Sequence, residues 1–111
     1  MVLLTPRQIL DQLVSFPTVS RESNLALVDW LEGYLSGQGV KCFRHWNEDR
    51  QKAALIGHAG PWIEGAVVLS GHSDVVPVDG QAWTWDPGAG VERDGRLYGR
   101  GTCDRKGYVA L

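Results

Sequence analysis

The chain has 111 residues, 43% of them hydrophobic and 22% charged, with fourteen glycines and five tryptophans. That is the composition of a globular segment near the size of one domain, able to bury roughly two-thirds of the surface its unfolded form exposes. Eleven basic residues against thirteen acidic ones give a net charge of −2; the basic residues are scattered, so no nucleic-acid footprint is present, and no apolar stretch reaches the length of a membrane span.

The opening "MVLLTPRQ" has an apolar run without a basic segment before it, which argues against a secretory leader. Cys42 and Cys103 stand far apart and form no CxxC pair, so a reduced, cytoplasmic protein is the expectation.

In "TPRQILDQLVSF", Thr5 suits an N-cap, Pro6 the first helical position and Gln8 the third place of a capping box. The predicted helix turns Ile9, Leu13 and Phe16, with Leu10 and Val14, to one side, and Pro17 stops it. A second helix is predicted to start near Ser23, with Leu25, Val28, Leu31 and Leu35 on its core face and its end in "SGQG". Trp30 and Tyr34 widen that face, packing being the commoner use of such a pair than a partner site.

Three strands follow by composition, "VKCFRHW", "KAALIGH" and "GAVVLSGH", with "AGPWIEG" as a turn between the last two. The run Ala66 to Leu69 is continuously apolar, as in a strand covered on both faces of a parallel or mixed sheet, and helices ahead of such strands predict an α/β layered domain. "VDGQAWTWDPGAG" reads as loop, "VERDGRLYGRG" as a hairpin turning at Asp94-Gly95, and "DRKGYVAL" as the start of a helix.

Chemistry gathers beyond the third strand. His72 and Asp74, two places apart on extended chain, point to one side, at the carboxyl end of a strand where α/β sheets collect their functional groups. An imidazole nitrogen is a good zinc ligand, and a neighbouring carboxylate fixes its tautomer. The structural alternative is a turn closed by Asp74 on backbone amides, and for an isolated His-x-Asp it is the commoner one.

In "LYGRGTCDRKG", Asp104 follows a glycine-rich turn and precedes a helix; a metal-facing carboxylate and a helix N-cap both fit that place. "GHSDV" lacks the last glycine of G-x-S-x-G, and Lys106 lacks Walker spacing, so a serine nucleophile elbow and a phosphate loop drop out. Cys103 has no activating partner in sequence and reads as a small buried side chain.

Together, "LSGHSDVVPVDGQAWTWDP" and "GVERDGRLYGRGTCDRKG" closely resemble the zinc-dependent M20 peptidase and amidohydrolase family, above all its acetylornithine-deacetylase branch, and the likeness extends back through "ESNLALVDWLEGYLSGQGV". The resemblance implies that residues 1–111 are the amino-terminal part of a mixed-sheet α/β catalytic domain of the phosphorylase/hydrolase-like kind. On it, His72 is a ligand of one zinc, Asp104 the carboxylate bridging two zincs, and Asp74 a catalytic residue, the acidic side chain that supports the histidine. Two Zn2+ ions, or Co2+ in their place, would serve hydrolysis of a small N-acyl amino acid, N2-acetylornithine in that branch, in arginine biosynthesis. Full-length relatives carry an inserted dimerisation domain and are expected to be homodimers.

The same resemblance puts the family's Glu-Glu pair and its later metal ligands downstream of the Asp104 block, past Leu111. Glu22, Glu32, Glu48, Glu64 and Glu92 match none of these and read as solvated surface charge. His45 and His58 match no ligand either. Arg105 and Gly88 depart from the family's usual methionine and phenylalanine. The expected result is an acetylornithine-deacetylase-like segment inactive by itself; a succinyl-diaminopimelate desuccinylase or dipeptidase relative, or a non-enzymatic partner-binding remnant, are the competing readings.

Overall fold

Thr5 begins the first helix as its local chemistry dictates: its hydroxyl accepts from the Gln8 amide at 3.2 Å while the Gln8 side chain accepts from the Thr5 amide at 2.9 Å. The computed structural model describes residues 2–111. They run in the order α1 Pro6–Ser15, α2 Leu25–Gly37, β1 Lys41–Trp46, β2 Ala53–His58, β3 Val91–Arg93, β4 Arg96–Tyr98 and α3 Lys106–Ala110. This is a small α/β arrangement with two antiparallel two-stranded sheets, divided between two units.

One unit comprises residues 23–70, with residues 2 and 3. Its hairpin pairs β1 with β2 from Lys41↔His58 to Trp46↔Ala53, and α2 packs on it. Leu27 and Val28 are buried, with Leu31 and Leu35 half-buried beside them. Trp30 and Tyr34 stack on each other along the helix, ring centroids 5.6 Å apart.

The helix starts two residues after Ser23 because Asn24 is committed elsewhere. Its amide donates to the Ala53 carbonyl at 2.9 Å and its carbonyl accepts from the Ala53 amide at 3.0 Å, so it pins the start of β2 and makes no cap bond to its own helix. Arg44 of β1 adds a second tie, to Glu32 and, at 2.7 Å, to Asp29. Glu32 is therefore a half-buried ion-pair partner and not the solvated charge expected from sequence.

Residues 66–69 differ from the expected third strand. No backbone partner reaches them among the described residues, and Val67, Val68 and Leu69 are 83–85% exposed. A strand needs a neighbour for its ladder; without one these residues are extended chain outside any sheet.

The other unit comprises residues 4–22 and 71–111. Leu10, Leu13 and Val14 of α1 are buried, as are Val75 and Ala110, and α1 packs on α3. The β3–β4 hairpin turns at Asp94 (φ 51°) and Gly95 (φ 74°), the left-handed pair that a two-residue turn of this kind requires, with Val91 opposite Tyr98. Arg7 of α1 holds it through Glu92 at 2.5 Å and the Gly90 carbonyl at 3.0 Å.

Candidate functional site

The site lies within this second unit and is built by two short extended segments running in parallel. The Thr18 carbonyl accepts from the Val75 amide at 2.9 Å, the Val75 carbonyl accepts from the Ser20 amide at 3.1 Å, and Val19 and Val75 form a parallel bridge. Thr18 is 2% exposed, and its hydroxyl donates to the Ser73 carbonyl at 2.6 Å. Pro17 ends α1 and the β-branched Thr18 and Val19 favour extended chain, which fixes both sides of Asp74 in place.

From that support, His72 reaches two carboxylates. Its Nδ1 lies 3.1 Å from Asp74 Oδ1 and 3.1 Å from the Asp74 carbonyl; its Nε2 lies 3.1 Å from Asp104 Oδ1, across 32 residues of sequence. Ser20 Oγ donates to Asp74 Oδ2 at 2.5 Å. That hydrogen bond, with the nearby His72 ring as a lesser cause, holds the Asp74 carboxyl below the usual carboxylate range, against the opposing effect of partial burial. Asp74 is thus a carboxylate aimed at one ring nitrogen, with Ser20 and, to a lesser degree, its own backbone amide also bonded to it.

Asp104 sits where a glycine turn delivers it. Gly101 has φ 94°, and a Cβ there would stand 2.9 Å from Val75 Cγ1, so only glycine lets the turn approach the segment that carries Asp74. Gly107 is more restrictive still, since its Cβ would meet the Thr102 carbonyl oxygen at 2.2 Å. Asp104 does not cap α3; Arg105 occupies the N-cap position and no side chain makes a cap bond. The Arg105 guanidinium stands 5.8 Å over the Tyr108 ring.

A cleft of about 230 Å³ opens beside these groups, lined by Ser20, His72, Asp74, Arg100, Cys103 and Asp104, among others. Cys103 is exposed on that wall, correcting the expectation of a buried thiol: the turn spends its burial on Gly101 and Lys106, leaving position 103 outside. Lys106 is 1% exposed, and its Nζ donates to the Phe16 carbonyl at 2.7 Å. Burial without a counter-charge pushes its pKa down to about 8.

Whether these residues suit a metal can be judged from the donors. Two ligands ~2.0–2.1 Å from one tetrahedral zinc stand ~3.3 Å from each other, close to the separation here between Nε2 of His72 and the Asp104 oxygen. Asp74 on the far nitrogen favours the tautomer with Nδ1 protonated, which leaves the Nε2 lone pair to a metal. Both donors are open, with side-chain exposures of 47% and 78%. No group of three or more potential ligands exists among the described residues, so the chain offers half of a tetrahedral set. The other two histidines belong to the first unit, where His58 is stacked on Trp62 at 3.7 Å.

Comparison with known proteins agrees with the pairing of these blocks. The family description "Peptidase family M20/M25/M40" matches residues 68–111, which include His72, Asp74 and Asp104. Residues 68–111 are thus similar to that family. Over 94% of its length the chain is 36% identical to an acetylornithine deacetylase of Pasteurella multocida and 39% identical to one of Myxococcus xanthus; a Proteus mirabilis acetylornithine deacetylase is 36% identical over 90% of the chain. The chain spans 27–29% of the length of these relatives. No helix among the described residues is long and apolar enough to cross a membrane.

Sequence reasoning missed Thr18, Ser20 and Lys106. "PTVS" carried a weak signal, a helix stop followed by β-branched residues. Nothing local marks Lys106 as buried.

Proposed function

We propose that the chain is the metal-binding amino-terminal portion of an amide hydrolase of the acetylornithine-deacetylase kind, with Zn2+ as the resident metal, two ions in the complete site and Co2+ a workable substitute. The observation that carries this reading is the convergence of Asp74, His72 and Asp104, one imidazole between two carboxylates at 3.1 Å on either side. The match of the family to this very segment and the names of the relatives support the substrate class, an N-acyl amino acid such as N2-acetylornithine.

His72 Nε2 and Asp104 would hold the metal, which when bound supplies a Lewis acid that acidifies water and polarises the amide carbonyl. Asp74 keeps the His72 ring turned and its Nδ1 protonated, while Ser20 keeps Asp74 ionised and directed at that proton. Neither glutamate of the second unit lines the cleft, and Glu92 and Glu22 are ion-paired to Arg7 and Arg21, so the base that deprotonates the water is assigned to residues outside this segment. The 111 residues alone therefore bind metal and turn over no substrate. Function in the cytoplasm, in arginine biosynthesis and as part of a homodimer belongs to the same proposal.

Zinc titration of the purified chain followed by calorimetry tests it. Zinc should bind weakly, as suits two ligands, and His72→Ala and Asp104→Ala should each abolish binding. Asp74→Asn should weaken it by ~10–100-fold through loss of the ring's orientation. Binding indifferent to all three changes would sink the assignment.

A further inference from the structure

The second unit holds another cleft, of about 330 Å³, that the proposed function does not use. Val14, Val19, Val75 and Val78 give it apolar walls, and two of these, Val14 and Val75, belong to the buried core. Small-molecule sites start at about 300 Å³ and pair such walls with a few polar groups.

The polar groups here are two cations and one carboxylate. Lys106 is 1% exposed and its Nζ meets only the Phe16 carbonyl. Arg100 donates to the Pro77 carbonyl and the Gln81 side chain, while its Nε is buried with no acceptor among the described residues. Neither cation makes an ion pair among the described residues. Positive charge that is buried against neutral oxygens alone is incompletely compensated. Asp86 is committed locally, its Oδ1 accepting from the Gly88 amide at 2.9 Å.

Gly88 adds no side chain to this wall, and the fold does not demand a glycine there. Its backbone is not left-handed, and a Cβ would meet only Asp86 Oδ1 at 3.5 Å and the Val14 carbonyl at 3.9 Å, both ordinary contacts with residues of the cleft. The contrast is with Gly101 and Gly107, where a Cβ collides.

We infer that this cleft binds a small free carboxylate with an aromatic or branched apolar body, its apolar end beside Gly88 and its charge against Lys106 and Arg100. Such a ligand brings a counter-charge to Lys106 and an acceptor to Arg100 Nε, and its body occupies the room that position 88 leaves open. A cationic ligand meets two like charges, a neutral apolar one leaves both cations uncompensated, and an inorganic anion leaves the valine walls wet. The site needs no metal, although Val75 and Arg100 line both clefts.

Phenylacetate is the probe, because its benzyl group matches the side chain that Gly88→Phe would install. Added to the whole 111-residue chain in chelator, it should shift the amide resonances of Val14, Gly88 and Lys106 with a Kd of ~1–10 mM, the range open to so small a ligand. Phenylacetamide keeps the shape without the charge and acetate the charge without the ring; each should bind ~10-fold more weakly or worse. Gly88→Phe and Gly88→Leu should fill the space, keep the chain's circular dichroism and weaken phenylacetate by ~10-fold or more. Lys106→Met should weaken it as much, and Asp86→Asn, which keeps the oxygen that accepts from Gly88, should tighten it ~2–5-fold. His72→Ala should change nothing, so the metal assignment stands or falls separately. Equal binding of phenylacetate and phenylacetamide, shifts that spare Gly88, or undiminished binding by the Gly88→Phe chain would each overturn the inference. Unfolding of both Gly88 variants would overturn it too, since the room beside that residue would then not exist.

Discussion

The two units use similar materials to different ends. In residues 23–70, a helix and a hairpin are tied by Asn24 and Arg44, and the remaining apolar chain, Val67 to Leu69, finds no backbone partner among the described residues. In residues 4–22 and 71–111, a parallel pairing of only three residues on each side fixes a serine, two carboxylates and an imidazole into one line of contacts. The lesson is that a short ladder is enough to position chemistry when its neighbours are packed, whereas a strongly apolar run stays unformed without a second strand.

The sharpest way to break this contrast is to remove one core residue from each unit. Leu13 is 0% exposed and Leu27 1%, so Leu13→Ala and Leu27→Ala should each destabilise by ~2–5 kcal/mol. Urea denaturation measures the loss, and amide exchange should place it in the unit that carries the substitution. A next contrast uses glycines. Gly107→Ala drives a Cβ to 2.2 Å from the Thr102 carbonyl and should destabilise by ~1–3 kcal/mol or more. Gly33→Ala, inside α2 with nothing within 4 Å of the new atom, should instead stabilise by ~0.5–1 kcal/mol.

A smaller, pH-dependent effect belongs to the second unit alone. Lys106 has its pKa pushed down to about 8 by burial, from an ordinary value of 10.5. Below 8 it is charged in folded and unfolded chains, and the folded state bears the full burial penalty. Between 8 and 10.5 the folded chain releases the proton first, so stability rises with pH; above 10.5 the penalty is gone. Lys106→Met should flatten that rise in denaturation midpoints between pH 7 and 10.5. Phe16 keeps the Thr18 amide as a donor to its carbonyl, at 2.8 Å, so the variant leaves no orphaned acceptor.

Legibility in the sequence followed the range of the interactions. Thr5, Pro6 and Gln8 define α1 through bonds spanning three residues, and Asp94-Gly95 defines its hairpin through backbone sign alone. Asn24 shifted the start of α2 because its side chain answers to Ala53, twenty-nine residues away. Residues 66–69 have strand chemistry, but pairing is a property of two segments. His72 and Asp74 stood out as a His-x-Asp pair after an apolar run and Asp104 as a carboxylate after a glycine turn, whereas Ser20 and Thr18 take their places only through segment 73–75. Cys103 stands exposed and Lys106 buried because the path of the turn, and not side-chain polarity, decides which of them faces inward.

Nitrogen-15 NMR of the His72 ring during zinc titration tests the central claim most directly. Zinc should shift Nε2 while Nδ1 keeps its proton, and Asp104→Asn should strongly reduce the shift. Zinc binding at undiminished strength with the His72 ring nitrogens unmoved would contradict the account.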